Sequence, residues 1–422
     1  MINIKEKICN SACLMGRAGS IYRHTYGDDY DSLVRLEERP GDMRNTLSAV
    51  MYRNDIASAK IDLFTGAEAA HGVSVVSGDF IADDGTVLDA EIEISFIRNV
   101  IAYDIKKPVP DVLFSGAPID MEPRSVCSVW IKIKTSENAK PGIYNGSIAA
   151  GCKDSSEKIV FPFELEVQPL TLSNGIVSPE LWQYPYSSNR YYSGKSSSEY
   201  FSAHEKDMCS VYLNDDFENG LISQIKLYAE AGGRAVTVTI VEDPWNSQTP
   251  DPYPSMIKWK RKRDGRFEFD YTDFDKWIRL NEKYGVDGPI LSFSIASWGN
   301  NVEYFDEKEC AAVKKTLEPG DSEWQDTWRQ FLVSYAFHTT ENGWFDRVYI
   351  AMDERPADVA EKVLDLVESV KNAEGKAFKT SIAVYSFDCE YLFDRIDSLS
   401  FAYQLECERV KLTAEHRRAL GL

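Results

Sequence analysis

Two adjacent carboxylic acids, Asp353 and Glu354, lie between a predicted strand and a predicted helix. They follow the apolar run Val348–Met352, which is typical of a buried strand, and Pro356 then opens a helical pattern. The chain has 67 acidic residues among 422, so an adjacent acidic pair predicts nothing by itself. Active sites of strand–helix barrels lie at the carboxyl ends of the strands, and this position makes the pair a candidate for acid–base chemistry. The charge preference of the following helix N-terminus would explain the pair equally well without a function.

Aromatic residues occupy the same kind of position in other predicted strands. They are Trp182, Trp245 and Trp298 at the ends of the first three candidate strands and Tyr385 at the end of the fifth, with Asp243 beside Trp245. A pocket with aromatic walls and carboxylates suits a sugar, because the apolar ring faces stack and the hydroxyl groups need acceptors. We therefore predict that these five residues bind substrate. A single tryptophan at a strand end more often covers a core, however, and Asp243 could equally cap the turn before Pro244.

The elements that must position these residues alternate between short apolar runs and helical patterns. The candidate strands are Glu180–Gln183, Ala235–Val241, Pro289–Ile295, Val348–Met352, Thr380–Tyr385 and Leu399–Leu405. The clearest helix follows Pro356, and its apolar face carries Val359, Val363, Leu366, Val367 and Val370. This alternation predicts a parallel sheet, and an α/β (β/α)8 TIM-type barrel is the most economical architecture. About six strands are found where a closed barrel needs eight, so we expect a barrel that is C-terminally incomplete in this chain.

The earlier part of the chain has a different pattern. Residues 45–170 alternate apolar and polar side chains with a period of two, as in Val129, Ile131 and Ile133, which predicts an all-β sandwich of antiparallel strands. Pro169–Gly175 reads as a linker. We therefore predict an N-terminal sandwich domain over residues 1–170 and a catalytic barrel over residues 176–422. Asp264-Gly265, between aromatic residues, predicts a β-hairpin inserted after the second barrel strand.

The composition narrows the classes of partner. The formal net charge of −20 would repel nucleic acid and anionic membrane surfaces. The eight cysteines and five histidines lack the spacings of a metal site, so we expect no metal and no cofactor. The N-terminus has no apolar stretch long enough for a signal peptide, and no apolar run of about 18 residues occurs, so we expect a cytoplasmic protein without a transmembrane segment.

Several segments resemble one known family, in the same order along the chain. They are WIKIK (Trp130–Lys134) with KPGIYNG (Lys140–Gly146), LWQYPYSSNRYY (Leu181–Tyr192), EDPWNSQ (Glu242–Gln248), MIKWKRKRDGRFEFDYTDFDKW (Met256–Trp277) and YIAMDE (Tyr349–Glu354). Together they are similar to glycoside hydrolase family 123, and because they span most of the chain the resemblance is more specific than any single motif. It implies an N-terminal β-sandwich, a (β/α)8 catalytic barrel and the activity of a β-N-acetylgalactosaminidase.

The resemblance also assigns roles to the carboxylates. It implies a retaining, substrate-assisted mechanism in which the sugar's 2-acetamido oxygen attacks the anomeric carbon, so that no enzyme nucleophile is needed. Glu354 would be the acid/base, Asp353 would hold the acetamido nitrogen, and Tyr385 could donate to the acetamido oxygen. The implied substrate is a glycan or glycosphingolipid with terminal β-linked N-acetylgalactosamine. The residues leave open an exo-β-hexosaminidase for GlcNAc or another sugar, and a non-catalytic glycan-binding protein.

Overall fold

The chain forms two compact units, residues 1–174 and residues 175–422, in a computed structural model. The residues described are 14–27, 30, 46–102, 106–115, 118–173, 178–201 and 215–421, with side chains from 220 onward in the last range. Cys9, Cys13, Cys209 and His204 therefore lie outside the described residues, as does part of the predicted linker.

Eleven strands are described in the first unit. In chain order they are β1 Met15–Gly19, β2 Leu47–Arg53, β3 Ile56–Phe64, β4 Ala70–Ser77, β5 Ile81–Ala82, β6 Ala90–Ile101, β7 Pro108–Phe114, β8 Ile119–Met121, β9 Val126–Thr135, β10 Gly142–Gly151 and β11 Ile159–Thr171. One sheet has the order β1-β3-β9-β6-β7, and the other has β2-β11-β10-β4-β8 with β5 beside β10. All neighbours are antiparallel except β2 and β11, which run parallel.

Both sheets contribute to one hydrophobic core. The alternation along β9 buries Val129, Ile131 and Ile133 completely, and along β11 it buries Phe161 and Leu165. The residues between them face outward, because successive side chains of a strand point to opposite faces. The period-two pattern in the sequence is therefore confirmed for these two strands.

The second unit alternates strands with helices. In chain order they are α1 Pro185–Ser193, α2 Asp215–Glu230, β12 Val236–Thr239, β13 Lys258–Arg261, β14 Phe267–Asp270, α3 Thr272–Lys283, β15 Ile290–Phe293, β16 Asn301–Asp306, β17 Ala311–Thr316, α4 Ser322–Glu341, β18 Val348–Asp353, α5 Ala357–Ser369, β19 Lys379–Val384, β20 Ser398–Phe401 and α6 Cys407–Leu420. The predicted helix after Pro356 is confirmed as α5, which buries Val363, Leu366 and Val367.

The central sheet of this unit is a curled half-barrel of parallel strands in the order β12-β15-β18-β19-β20. Every neighbouring pair in it is parallel, as strand–helix alternation predicts. Among the described residues β20 pairs with β19 alone, so the sheet does not close into a complete (β/α)8 barrel.

The prediction of a strand at Glu180–Gln183 is wrong, and five of the six candidate strands are present. The segment lies at the edge of β12 and is held there by side chains. The Thr237 backbone N–H donates to the Gln183 side-chain oxygen at 3.0 Å, and the Gln183 backbone N–H donates to Thr237 Oγ1 at 3.4 Å. Because the glutamine amide takes the place of a backbone partner, no strand ladder forms.

Two β-hairpins extend from the carboxyl ends of β12 and β15. The predicted hairpin is confirmed as β13 and β14, which pair antiparallel around Asp264-Gly265. β16 and β17 form the second hairpin, and parallel pairing of β13 with β16 joins the two into a four-stranded sheet. Trp259 of β13 stacks on Phe331 of α4 with ring centroids 5.0 Å apart, which fixes this sheet on the half-barrel.

Candidate active site

The carboxylate pair lies at the carboxyl end of β18, near the middle of the parallel sheet. Asp353 is the last residue of the strand and is paired in register with Ala383 of β19. Glu354 follows with a φ of 49°, and its backbone N–H donates to the Ala383 carbonyl oxygen at 3.0 Å. A positive φ is unfavourable for a residue with a Cβ, and such strain occurs in tight turns and recurs at functional sites. A positive φ also lies outside the backbone conformation of a strand. The direction of the Glu354 side chain therefore does not follow from the alternation of side chains along β18.

Two tryptophans surround the Asp353 carboxylate. The Trp298 indole N–H donates to Asp353 Oδ2 at 3.1 Å. The Trp245 indole is buried and lies near enough to stabilise the charged carboxylate, although it makes no hydrogen bond of good geometry. Burial raises the pKa of Asp353, and the two indole N–H groups and the positive charge of Arg355 partly oppose this rise.

Arg355, directly after the pair, holds the Trp298 loop. Its guanidinium group donates to Asn300 Oδ1 at 3.1 Å and lies 5.7 Å from the centroid of the Trp298 ring. The Asn300 side-chain amide in turn donates to Glu318 at 3.1 Å. Burial lowers the pKa of Arg355. Arg355 and Asn300 are not predicted from the sequence; their only signal is that each stands within two residues of a predicted site residue.

An aromatic cluster continues from Trp245. The ring of Trp182 lies 5.2 Å from that of Trp245 and 4.8 Å from that of Phe293, and the ring of Tyr253 lies 4.9 Å from that of Trp245. Trp182 remains 43% exposed and Trp298 37% exposed, whereas Trp245 is 5% exposed. Trp245 is therefore mainly a packing residue, and Trp182 and Trp298 present open ring surface on which a sugar could stack.

The loops after β12 and β15 are fastened to each other. The Trp298 backbone N–H donates to the Pro244 carbonyl oxygen at 2.9 Å. Gly299 packs so closely that a Cβ there would lie 2.9 Å from the Asn246 side-chain oxygen. The Trp245 and Trp298 indoles near Asp353 therefore lie in two loops that are joined by a hydrogen bond and by close packing.

Asp243 caps a turn. Its carboxylate accepts the Ser247 backbone N–H at 2.9 Å and the Ser247 hydroxyl at 3.1 Å, and its φ of 45° is that of a tight turn. Of the two roles open to it from the sequence, the turn is the one that its described contacts support.

Tyr385 follows the last residue of β19, on the strand next to the carboxylate pair, and its side chain is 50% exposed. It stands two residues beyond Ala383, the register partner of Asp353, and residues two apart on a strand share a face. No described residue forms a hydrogen bond with its hydroxyl group. Its expected bond to substrate stays a prediction.

The described residues contain no group of three or more His, Cys, Asp or Glu side chains that could hold a metal ion. None of the described helices is both long enough and apolar enough to cross a membrane.

A parallel half-barrel with carboxylates and open tryptophan rings at its strand ends is the arrangement that the sequence predicts for a glycoside hydrolase. Residues 182–420 match the family model "Glycoside hydrolase 123, catalytic domain", and residues 34–150 match "Glycoside hydrolase 123 N-terminal domain". The chain belongs to glycoside hydrolase family 123. No curated protein matches it significantly.

A solved family 123 glycoside hydrolase from Clostridium perfringens, described for the details of glycolipid glycan hydrolysis, is similar over almost the whole chain. It shares 32% identity with a TM-score of 0.83, over 97% of this chain and 71% of that one. The CooA pilin subunit from enterotoxigenic Escherichia coli matches 29% of this chain and 90% of its own, with 12% identity and a TM-score of 0.20, too low to support any inference.

Proposed function

We propose that this glycoside hydrolase releases non-reducing terminal β-linked N-acetylgalactosamine from glycans or glycosphingolipids. The observation that carries the proposal is the adjacent pair Asp353 and Glu354 at the end of β18, with Asp353 held by the Trp298 indole. Family membership supports hydrolysis of a glycosidic bond, and the Clostridium perfringens relative acts on glycolipid glycans. The five parallel strands support the further interpretation that this unit is a variant of the (β/α)8 barrel.

Adjacent carboxylates suit a substrate-assisted reaction. An enzyme nucleophile would require a second carboxyl group about 5 Å away across the scissile bond, and neighbours on one strand end are poorly placed to flank that bond. In the proposed reaction the acetamido oxygen attacks the anomeric carbon, the bond to the leaving oxygen breaks, and an oxazolinium ion forms. Intramolecular attack gains from proximity, which lowers the entropic part of the barrier.

The two carboxylates then have different tasks. Glu354 gives its proton to the leaving oxygen in the first step and takes a proton from the attacking water in the second. Asp353 accepts a hydrogen bond from the acetamido N–H and balances the positive charge that develops on that nitrogen. The Trp298 indole keeps the Asp353 carboxylate in one orientation, and Trp182 and Trp298 offer ring faces to the sugar.

Hydrolysis of 4-nitrophenyl β-N-acetylgalactosaminide tests the proposal, with Glu354→Gln beside the wild type. Loss of a general acid–base group lowers the rate by about 10²- to 10⁴-fold. Because a nitrophenolate leaving group needs little protonation, formation of the oxazolinium ion should be affected less. The fall in kcat is therefore expected mainly in the second step, the attack of water on the oxazolinium ion. Added azide should partly restore the rate of Glu354→Gln by attacking the intermediate without base help. Glu415→Gln, at an exposed position of α6, is a matched control that should keep wild-type activity. Unchanged activity in Glu354→Gln would remove the assignment.

The choice of sugar is tested separately. The GlcNAc glycoside, compared at the same enzyme concentration, should be the poorer substrate if the site selects the C4 epimer. Inhibition by GalNAc-thiazoline, a stable analogue of the oxazolinium ion, is expected because transition-state-like analogues bind far more tightly than substrates. Faster hydrolysis of the GlcNAc glycoside would instead identify a β-hexosaminidase, and no inhibition would rule out substrate assistance.

A further inference from the structure

A cleft of about 290 Å³ lies on the outer face of the sheet β1-β3-β9-β6-β7, in the unit that the proposed reaction does not use. Trp130, Ser128 and Ile97 line it from the sheet, residues 21–25 line one side, and Asp111 and Leu113 line another. All of these residues belong to the first unit, so the cleft is a feature of that unit alone.

Trp130 is the unusual member of this lining. It stands between Lys60 of β3 and Ser95 of β6 in the sheet register, on the face turned away from the core, and is only partly buried. Its outward-facing neighbours along β9 are Ser128 and Lys132. Among the described residues none accepts a hydrogen bond from its indole N–H. A large ring with an unused donor therefore faces the cleft.

Buried charges fix the wall of the cleft beside this ring. Lys60 is 3% exposed, and its ammonium group donates to the Arg23 carbonyl oxygen at 2.7 Å and to Thr25 Oγ1 at 2.8 Å. Asp62 is 1% exposed, lies 3.3 Å from the Lys60 ammonium group and accepts the Ser128 hydroxyl at 2.6 Å. Burying charged groups on a sheet face is unfavourable unless they are paired and hydrogen-bonded, as these are. Their bonds tie residues 23–25 to the sheet next to Trp130.

The backbone of β1 packs closely against this ion pair. Gly19 packs against the ion pair so closely that a Cβ would lie 2.7 Å from the Lys60 side chain and 2.9 Å from Asp62. Because contacts under about 3 Å are repulsive, glycine is the residue that lets β1 pass over the buried charges. β1 therefore packs directly on the buried ion pair, whose Lys60 lines the cleft.

We propose that this cleft is a second carbohydrate site, which binds one uncharged pyranose ring on the face of Trp130. A pyranose combines an apolar ring face, which suits the indole, with hydroxyl groups that need polar partners. The Asp111 carboxylate and the His24 ring line the cleft and supply such partners, and no described residue forms an ion pair with Asp111. The volume accommodates one ring with its substituents. Asp62 pairs with both Lys60 and Arg17, so the Lys60 charge is already engaged within the protein, and the strongly acidic chain disfavours an anionic ligand.

Binding of methyl β-glycosides tests this site without any hydrolysis. The probes are the methyl β-glycosides of galactose, N-acetylgalactosamine and glucose, observed by saturation-transfer NMR with the full chain. Trp182→Ala serves as the background, because it weakens the proposed site in the other unit. In this background at least one probe should bind with a dissociation constant on the order of millimolar, as expected for a ligand of this size in a shallow site.

Trp130→Ala, added to that background, should weaken the binding by at least roughly tenfold, as loss of a stacked aromatic platform does. Trp130→Phe should keep most of it, which separates stacking from a folding defect. Tyr52→Ala is the matched control: this tyrosine is 40% exposed on β2 of the other sheet and should leave binding unchanged. Asp111→Ala provides a second test that does not touch the ring.

Two results would overturn the inference. One is that no probe binds the Trp182→Ala protein; the other is that binding survives Trp130→Ala and Asp111→Ala together. The result is separable from the proposed reaction, because Trp130→Ala alone should leave hydrolysis of the nitrophenyl glycoside unchanged. A chain that binds sugars through Trp130 but hydrolyses none would contradict the proposed function and keep this site.

Discussion

Burial of the Asp353 carboxyl group opposes the charged form that its proposed role requires. Burial raises its pKa and so disfavours the charged form, yet its proposed role needs that charged form to face a developing positive charge. The indole N–H groups of Trp298 and Trp245 and the guanidinium group of Arg355 lower the pKa again. These three groups therefore limit the destabilisation of the charged carboxylate that the proposed reaction needs.

Asp353→Asn is expected to abolish hydrolysis and to increase the free energy of unfolding at pH 7. The folded-state pKa of Asp353 lies above the ordinary value of 3.8, so the ionised group destabilises the fold at any pH above that raised pKa. The destabilisation shrinks as the pH falls below the raised pKa and disappears below 3.8, where the carboxyl is protonated in both the folded and the unfolded state. The stability advantage of Asp353→Asn should therefore shrink over the same range.

Urea unfolding of both proteins at several pH values between 4 and 7 measures this difference. Asp326→Asn, at an exposed position of α4 without a described ion pair, is the control for a general effect of removing one acidic charge. An advantage of Asp353→Asn that grew as the pH was lowered would contradict the raised pKa.

At the scale of elements, the segment before α1 lies beside the parallel sheet where the sequence predicts a further strand. Glu180–Gln183 runs along the edge of β12 without joining its ladder, and Gln183 makes the contacts that hold it there. The Gln183 side-chain N–H also donates to the fully buried Asn281 at 3.0 Å, and Tyr253 donates its hydroxyl proton to the Gln183 carbonyl oxygen. Since Trp182 is the preceding residue, the same contacts set the position of its ring.

Gln183→Leu is expected to destabilise the protein and to raise KM for the nitrophenyl glycoside more than it lowers kcat. It leaves the buried Thr237 N–H and the Asn281 side-chain oxygen without a partner, and each such group costs about 1–3 kcal/mol. Loss of the anchor also frees Trp182, whose proposed task is to bind the sugar. Gln248→Leu, at an exposed glutamine in the loop after β12, should change neither stability nor KM. An effect on kcat alone would show that Gln183 acts elsewhere than through Trp182.

The elements show what the sequence could and could not predict. Strand–helix alternation located β12, β15, β18, β19 and β20, because their apolar runs are continuous and each is followed by a helical pattern or turn. It placed Asp353 and Trp298 on one end of the sheet, where they meet. It failed at Glu180–Gln183, where side-chain hydrogen bonds replace backbone pairing, and such a replacement leaves no periodic signal. It also failed at Arg355, since a loop arginine gives no local indication of a partner such as Asn300, 55 residues away.

At the scale of the whole molecule, the chain has two separate hydrophobic cores. One core contains residues of the first unit only, including Val129 and Phe161, and the other contains residues of the second unit only, including Val238 and Ile350. All residues that we assign to the reaction lie in the second unit, and the Trp130 cleft lies wholly in the first. A unit with its own core of this size has the apolar burial that independent folding requires.

Residues 176–422 alone are therefore expected to fold and to hydrolyse the nitrophenyl glycoside with a kcat/KM within roughly tenfold of the whole chain, since they contain every residue assigned to the chemistry. Residues 1–170 alone should fold, release no nitrophenol and still bind a methyl β-glycoside in a manner that Trp130→Ala removes. Circular dichroism establishes folding of each part before the kinetics are compared. If residues 176–422 were folded but inactive, the first unit would have to contribute to the reaction directly, and the division of tasks between the two cores would be wrong.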